Sequence, residues 1–393
     1  MKMNTKAVHA GDRKHTGSYV PITTPIHTAS TYIYDKIEDL DRVFAREIPG
    51  PSYSRYGNPT NDALEELCAE LESGAGALAC SSGMSAIQMA LTTALTDRRK
   101  SVVAASALYG ATLGMLMNVF GPSGVDVHFV DFCDVDALQK AVAEHKPGCL
   151  IMETISNPLL RVPQLDRVSE MARQAGAVLI VDNTFATPLM IRPLEWGANF
   201  VVHSLTKYLS GHGDMLGGIV ISDRENLGTL QTLSRTIGPV LGSFESYLAM
   251  RGIKTFPLRM ERQCANACRV AASLATHAGV EHVYYPADPA HPDAATIRRI
   301  FEPGLSGAVV SFELKGGGRD QVFRFMNALK LVVPATSVGD VHSMMLYPAM
   351  SSHREISPKH RERLGIRDNL VRLSVGIEEV DDIVADLDQA LTT

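Results

Sequence analysis

Nothing in this 393-residue chain approaches the run of roughly 18 apolar residues that a membrane-spanning helix requires. The N-terminus, "MKMNTKAVHAGDRKH", also lacks the apolar stretch of a secretory signal, so a soluble protein of the cytoplasm is expected. Charge of one sign is scarce as well. The formal net charge is −6 and no long run of like charge occurs, which leaves no basic stripe for a nucleic acid or an anionic membrane surface. Six cysteines (68, 80, 133, 149, 264 and 268) are too sparse for a disulfide scaffold. Only "CANAC" has suggestive spacing; with no His or further Cys nearby, Cys264 and Cys268 read as two buried thiols, and no metal is expected. Internal repeats and low-complexity tracts are also missing. What remains, 45% hydrophobic and 20% charged residues, is an ordinary globular composition with material for a large core.

The regular pattern begins near residue 60. "NPTNDALEELCAELESG" places Leu64, Leu67, Cys68 and Leu71 on one helical face, after Pro59 and before Gly74. Short apolar runs follow at 77–80, 101–106, 125–132, 149–154, 177–183, 199–204 and 217–222, most of them separated by helix-length segments. Strands apolar throughout, alternating with helices, indicate an α/β fold with a mostly parallel seven-stranded sheet covered on both faces. Beyond residue 222 the alternation gives way to a long helical region, then "AVVSFELKGG", a helix near 320–330 and a final "LVRLSVGIEEVDDIVADLDQAL". This predicts a smaller α+β C-terminal domain. The expected division is an arm at 1–59, an α/β domain at 60–248 and the C-terminal domain at 249–393. Five prolines make the arm too irregular to fold alone, so it should pack on another part of the molecule or on a partner subunit.

In open parallel sheets ligands bind at the carboxyl ends of the strands, so the residues following each run carry the functional signal. After "ALAC" comes Ser81-Ser82-Gly83-Met84, a turn that opens a helix and offers free N–H groups to an anion; Ser82 as a plain N-cap is the bland alternative. Tyr109 follows the next run, as a packing residue or as an aromatic face for a ligand. Asn157 lies beyond "CLIMET". Asp182 closes a run of five apolar residues, where a carboxylate is costly to desolvate unless it caps a loop or meets a cation, and Thr184 is two residues further.

Twenty-five residues beyond Asp182 lies "HSLTKYLSGHGDMLGG", His203 to Gly218. Ser204 and Thr206 should share one side of an extended segment while Lys207 points the other way. Burial and a neighbouring cation lower the pKa of such a lysine and make it a nucleophile for a carbonyl. Pyridoxal 5'-phosphate chemistry needs that lysine, a carboxylate for the pyridinium nitrogen, an aromatic face for the ring and an anion cradle for the phosphate. Lys207, Asp182, Tyr109, and Gly83-Met84 with Ser204 and Thr206 supply those parts. The glycines at 211, 213, 217 and 218 read as turn formers that also leave room for a cofactor, and His203 and His212 as structural.

The ordered motifs "YSRYGNPT" (53–60), "SSGMSA" (81–86), "LYGAT" (108–112), "ETISNP" (153–158), "VDNTFATP" (181–188), "HSLTKYLSGHGD" (203–214), "RGIKT" (251–255) and "RLSVGIE" (372–378) resemble the cysteine and methionine metabolism group of pyridoxal phosphate enzymes over nearly the whole chain. That group includes cystathionine γ-synthases, cystathionine γ-lyases, methionine γ-lyases and homoserine-ester sulfhydrylases. The resemblance implies a fold-type I transferase architecture, Lys207 as the lysine that carries the cofactor and moves protons, Tyr109 as a catalytic residue that stacks on the ring and takes up a proton, and Asp182 at the ring nitrogen. It further implies that Tyr53 and Arg55 reach the phosphate of a neighbouring subunit in a homotetramer built from dimers. Arg372, with Asn157 and Ser337, would bind the substrate α-carboxylate.

Specificity is less determined. Cystathionine cleavers of the group usually carry an acidic residue where this chain has Thr336 and an arginine where it has Gly114; methionine γ-lyases usually carry a Cys at the position of Ala111. A wider, less polar pocket is the expectation. The leading reading is carbon–sulfur lyase chemistry, α,γ-elimination on methionine, cystathionine or homocysteine, with γ-replacement on an acyl-homoserine ester as the alternative. A non-catalytic protein that kept the fold is disfavoured by the intact Lys207, Asp182 and Arg372. A nicotinamide dehydrogenase is disfavoured because the glycines of "GAGALACSSG" precede a strand.

Overall fold

The computed structural model describes residues 1–13, 18–351, 354, 361, 362 and 364–392. Seven strands form the larger sheet: β1 Gly76–Cys80, β2 Ser101–Ala105, β3 Asp126–Val130, β4 Cys149–Glu153, β5 Val178–Asp182, β6 Phe200–Ser204 and β7 Gly218–Ser222, in the order β1-β7-β6-β5-β4-β2-β3. Only β7 runs against its neighbours. The strands β2, β4 and β7 are buried along their whole length, and β5 and β6 are buried except at their last residue. Helices cover both faces, which is why the sequence shows continuous apolar runs. β3 departs from that pattern. It is an edge strand whose Asp126 and Phe129 are exposed, so its apolar run overstates its burial.

The helix Pro59–Glu72 begins where expected. Asn58 caps it by accepting the N–H of Thr60 at 3.0 Å, and Pro59 occupies the first turn. It ends one residue before Gly74, at Ser73 in a left-handed conformation (φ 61°). The arm is less irregular than its prolines suggest. It holds two short helices, Met3–His9 and Ile37–Phe44, and the first buries Ala7 in the main core.

The second sheet has five strands, β8 Val280–Tyr284, β9 Val309–Leu314, β10 Val333–Pro334, β11 Met344–Leu346 and β12 Leu370–Ser374, in the order β10-β11-β12-β9-β8. Its own core, including Val270, Phe312, Phe325, Leu373 and Ile383, lies between this sheet and the helices Phe256–Ala275, Arg319–Ala328 and Val380–Leu391. On the first of these helices Cys264 is buried but Cys268 is exposed, so only one of the two thiols is in the core. Their four-residue spacing is slightly more than one turn, enough to rotate the second out of the interface. Among the described residues no helix is long and apolar enough to cross a membrane, and no cluster of His, Cys, Asp and Glu could hold a metal ion.

The glycines after Lys207 are turn formers as expected, but the space they leave is taken by protein atoms. Gly211 (φ 73°) and Gly213 (φ 64°) adopt left-handed backbone, and a Cβ on Gly211 would fall inside the guanidinium of Arg259. A Cβ on Gly218 would strike the carbonyl of Ser82. They make room for protein atoms. Gly211→Ala is expected to destabilise the fold by roughly 2–4 kcal/mol, from backbone strain plus displacement of Arg259. An unchanged thermal midpoint in that variant would refute the reading.

Candidate active site

A cavity of about 540 Å³ opens at the carboxyl ends of the parallel strands and is roofed by the C-terminal domain. It gathers Gly83, Met84, Tyr109, Asn157, Asp182, Thr184, Ser204, Thr206, Lys207, Ser337 and Arg372, all but two of the expected site residues. The two outside are Tyr53 and Arg55. Arg55 donates to the carbonyl of Arg235 and lies over the rings of Tyr53 and Tyr56, in a separate surface cavity bordered by the arm.

Each wall follows from its strand. Beyond β1, Ser82 caps the helix Gly83–Leu95 by accepting the N–H of Ser85 at 3.1 Å. The capping role and the anion cradle coexist, because the N–H groups of Gly83 and Met84 in the first turn have no intrahelical acceptor. Ser204 stands against Gly83, close enough that a Cβ there would lie 3.0 Å from that of Ser204. Thr206 lines the same wall, although its hydroxyl also accepts the N–H of Gly217 at 3.1 Å.

Asp182 ends β5 and is partly buried. Its carboxylate accepts the N–H of Thr184 at 3.0 Å, and the Thr184 hydroxyl in turn accepts the N–H of Ser204 at 3.0 Å. Burial raises the pKa of Asp182, opposed by Thr184 and by the nearby His203. A buried carboxyl of this kind is relieved by a cationic partner such as a pyridinium. His203 is structural, as expected. Its Nε2 meets Glu72 at 2.6 Å in the core, where the same Glu72 oxygen accepts from Asn183 at 2.8 Å.

Lys207 differs in its backbone. It sits on a tight turn, with its own N–H bonded to the carbonyl of Ser204 at 3.2 Å and its carbonyl accepting the N–H of Gly211 at 2.8 Å. Ser204, Thr206 and Lys207 therefore face one cavity instead of opposite sides of an extended segment. Arg259, buried on the helix Phe256–Ala275, clamps this turn by donating to the carbonyls of Tyr208 at 2.9 Å and Leu209 at 3.1 Å. Nothing in the sequence marks Arg259 for that position. Burial first, and the charge of Arg372 second, lower the Lys207 ammonium to about 8, so a reactive amine is accessible near neutrality.

Arg372 comes from β12, across the cavity. It donates to Asn157 Oδ1 at 2.8 Å and to the Ser337 carbonyl at 3.0 Å, while the Ser337 hydroxyl accepts from Lys207 Nζ at 2.9 Å. Its Nε is buried and without a partner among the described residues, and burial lowers its pKa to about 10. A buried guanidinium with an unused N–H is a receptor for an anion, and a carboxylate matches its fork. Phe185 and Glu153 also line the cavity and escaped the sequence reading. Of the three specificity positions, only Thr336 lies in the wall.

Amine, buried carboxyl, aromatic residue and helix-terminal anion cradle suit pyridoxal phosphate, and the orphaned N–H of Arg372 remains for an amino-acid carboxylate. Comparisons agree with that fit. The family described as Cys/Met metabolism PLP-dependent enzyme matches residues 4–392. An L-methionine gamma-lyase of Fusobacterium nucleatum subsp. polymorphum is 41% identical over 99% of this chain and 98% of its own length. An O-succinylhomoserine sulfhydrylase of Pseudomonas aeruginosa is 37% identical over 99% and 94%. The crystal structure of a cystathionine gamma synthase from Xanthomonas oryzae pv. oryzae in complex with cystathionine superposes with a TM-score of 0.93 at 36% identity, covering 100% of this chain and 98% of that one.

Proposed function

We propose, from the premise that the chain belongs to the Cys/Met metabolism PLP-dependent enzymes and is a pyridoxal-phosphate γ-lyase or γ-synthase of sulfur amino acid metabolism, that it acts as a carbon–sulfur lyase. Its reaction would be α,γ-elimination on methionine or homocysteine with uptake of water, giving an α-keto acid, ammonia and, respectively, methanethiol or hydrogen sulfide. The observation that carries the choice is the charge inventory of the cavity. Among the described residues its charged or acidic side chains are Glu153, Asp182, Lys207 and Arg372. Asp182 serves the cofactor ring, Lys207 the cofactor aldehyde and Arg372 the α-carboxylate, while Glu153 is buried against backbone N–H groups. Among the described residues none is left for the distal ammonium and carboxylate of cystathionine or for the free carboxylate of a succinyl ester. The remaining lining includes Ile155, Leu216, Thr336, Val338 and Leu346, which suits a short uncharged γ-substituent. γ-Replacement on an acyl-homoserine ester uses the same residues and is the second reading; by this inventory an acetyl ester suits it better than a succinyl one.

When bound, the cofactor supplies an electron sink for carbanions at Cα and Cβ. The chain's residues do the rest. Asp182 would keep a proton on the ring nitrogen, Tyr109 would face the ring, and Gly83, Met84, Ser204 and Thr206 would hold the phosphate, with Thr184 fixing Asp182 against β6. Arg372, Asn157 and Ser337 orient the substrate carboxylate so that Cα–H faces Lys207, whose amine removes the proton and returns it. Lys207 would also take the Cβ proton as the Cγ–S bond breaks, and the leaving sulfur would take up a proton to depart as methanethiol or hydrogen sulfide. Incubation with methionine, homocysteine, cystathionine and both homoserine esters, with and without an added thiol, separates the readings. Keto acid from methionine or homocysteine supports elimination, whereas thioether alone from an ester contradicts it.

Tyr53 and Arg55 are assigned to the phosphate of a neighbouring subunit in a homotetramer. Exposed apolar residues on the arm, among them Ile22, Ile33 and Ile37, support its burial in an assembly. Arg55→Ala is expected to weaken cofactor retention on dialysis. Mixing Arg55→Ala with Lys207→Ala protomers should restore partial activity, since one mixed site carries neither defect. No recovery in verified mixed oligomers would count against the shared site.

A further inference from the structure

We propose that Glu153 is a positioning residue that ties Tyr109, at the cofactor ring, to Asn157, at the substrate carboxylate, so that the two contacts form and fail together. The proposal rests on the reading of the cavity as the cofactor and amino-acid site. Glu153 ends β4 directly beside Asp182 at the end of β5, in parallel register, so the two carboxyl groups leave the same face of the sheet. Both line the cavity, and Glu153 is 7% exposed. One Glu153 oxygen accepts the N–H of Tyr109 at 2.5 Å, and the backbone amide of Asn157, four residues on, lies close enough to the same carboxyl to favour its charged form. Asn157 passes the constraint onward, because its side-chain oxygen receives Arg372 at 2.8 Å. The connection runs from the segment after β2, through the end of β4, to the C-terminal domain.

Two adjacent buried carboxyl groups do not both ionise readily. Burial first, and the charge of Asp182 second, push Glu153 well above the usual carboxylate range, against the two backbone N–H groups and Arg372. Glu153 therefore holds its proton to higher pH than an ordinary carboxyl does, while its oxygen accepts the N–H of Tyr109. The ionisable groups facing it are Asp182 on β5, Arg372 on β12, Lys207 on the turn after β6 and Tyr109 beyond β2.

The test uses the holoenzyme with Glu153→Gln, which keeps an uncharged acceptor, and Glu153→Ala, which removes it. Three properties are read: visible circular dichroism of the bound cofactor, KM for the amino acid, and the pH profile of kcat/KM. Glu153→Ala should lose much of the visible dichroism and raise KM roughly tenfold, the scale of a lost hydrogen bond, at unchanged cofactor content. Glu153→Gln should restore both. As pH rises, ionisation of Glu153 beside Asp182 should cost the wild type activity on the alkaline side, and that loss should be missing from Glu153→Gln, which retains the other four groups. Wild-type dichroism and KM in Glu153→Ala would overturn the proposal, as would equal damage in Glu153→Gln or an identical alkaline limb in the two proteins. If Glu153→Ala does not fold, the glutamine variant's dichroism and pH profile still decide. If the wild type turns over no amino acid, the function reading fails while the dichroism comparison still tests Glu153.

Discussion

Lys207→Ala abolishes turnover, by at least about a thousandfold, in a chain that still folds. The residue sits on a turn whose shape is held by other groups: the backbone bonds to Ser204 and Gly211, and the clamp of Arg259 on the carbonyls of Tyr208 and Leu209. Among the described residues its side-chain partner is the hydroxyl of Ser337, so truncation removes one hydrogen bond and relieves the burial of an amine whose charged form is disfavoured there. Stability should hardly fall. Chemistry should collapse, because no other lysine lines the cavity among the described residues. The check is steady-state keto-acid release together with a thermal melt. Activity within tenfold of the wild type would remove Lys207 from the mechanism.

Arg372→Ala lowers kcat/KM by roughly 30- to 1000-fold, mostly through KM, the range expected when one member of a buried charge pair is truncated. Two of its donors are taken by Asn157 and Ser337, which aim the guanidinium, and Nε is unused. Without substrate it is a buried cation that no carboxylate among the described residues pairs with, so its loss costs binding far more than folding. Arg372→Lys should rescue little, because an ammonium cannot reproduce the planar fork. Parallel assays with an amino acid and its decarboxylated amine check the assignment. If the variant loses activity on both equally, the carboxylate is not its ligand.

The sheet was legible because each central strand is buried on both faces and so spells a continuous apolar run; the direction of β7 was not, since burial says nothing about polarity of the chain. Residues at strand ends, Asp182 and Lys207 above all, stood out because a charge beside such a run demands a partner. Arg372 and Ser337 lie far along the chain on another domain, and only the family resemblance connected them to Lys207. Glu153, Arg259 and Glu72 left no local signal: a charged residue in an otherwise ordinary context becomes a buried anchor only through tertiary neighbours. The glycines show the same limit in reverse. Their backbone freedom could be anticipated, but Arg259 and the Ser82 carbonyl, which demand it, come from distant segments.

Borohydride reduction of the holoenzyme, followed by peptide mapping, tests the central claim most directly. Reduction makes the link between cofactor and lysine permanent, so the account predicts a phosphopyridoxyl group on the peptide containing Lys207 and on no other. Its appearance on a different lysine, or on none in protein that carries the cofactor, would contradict the account.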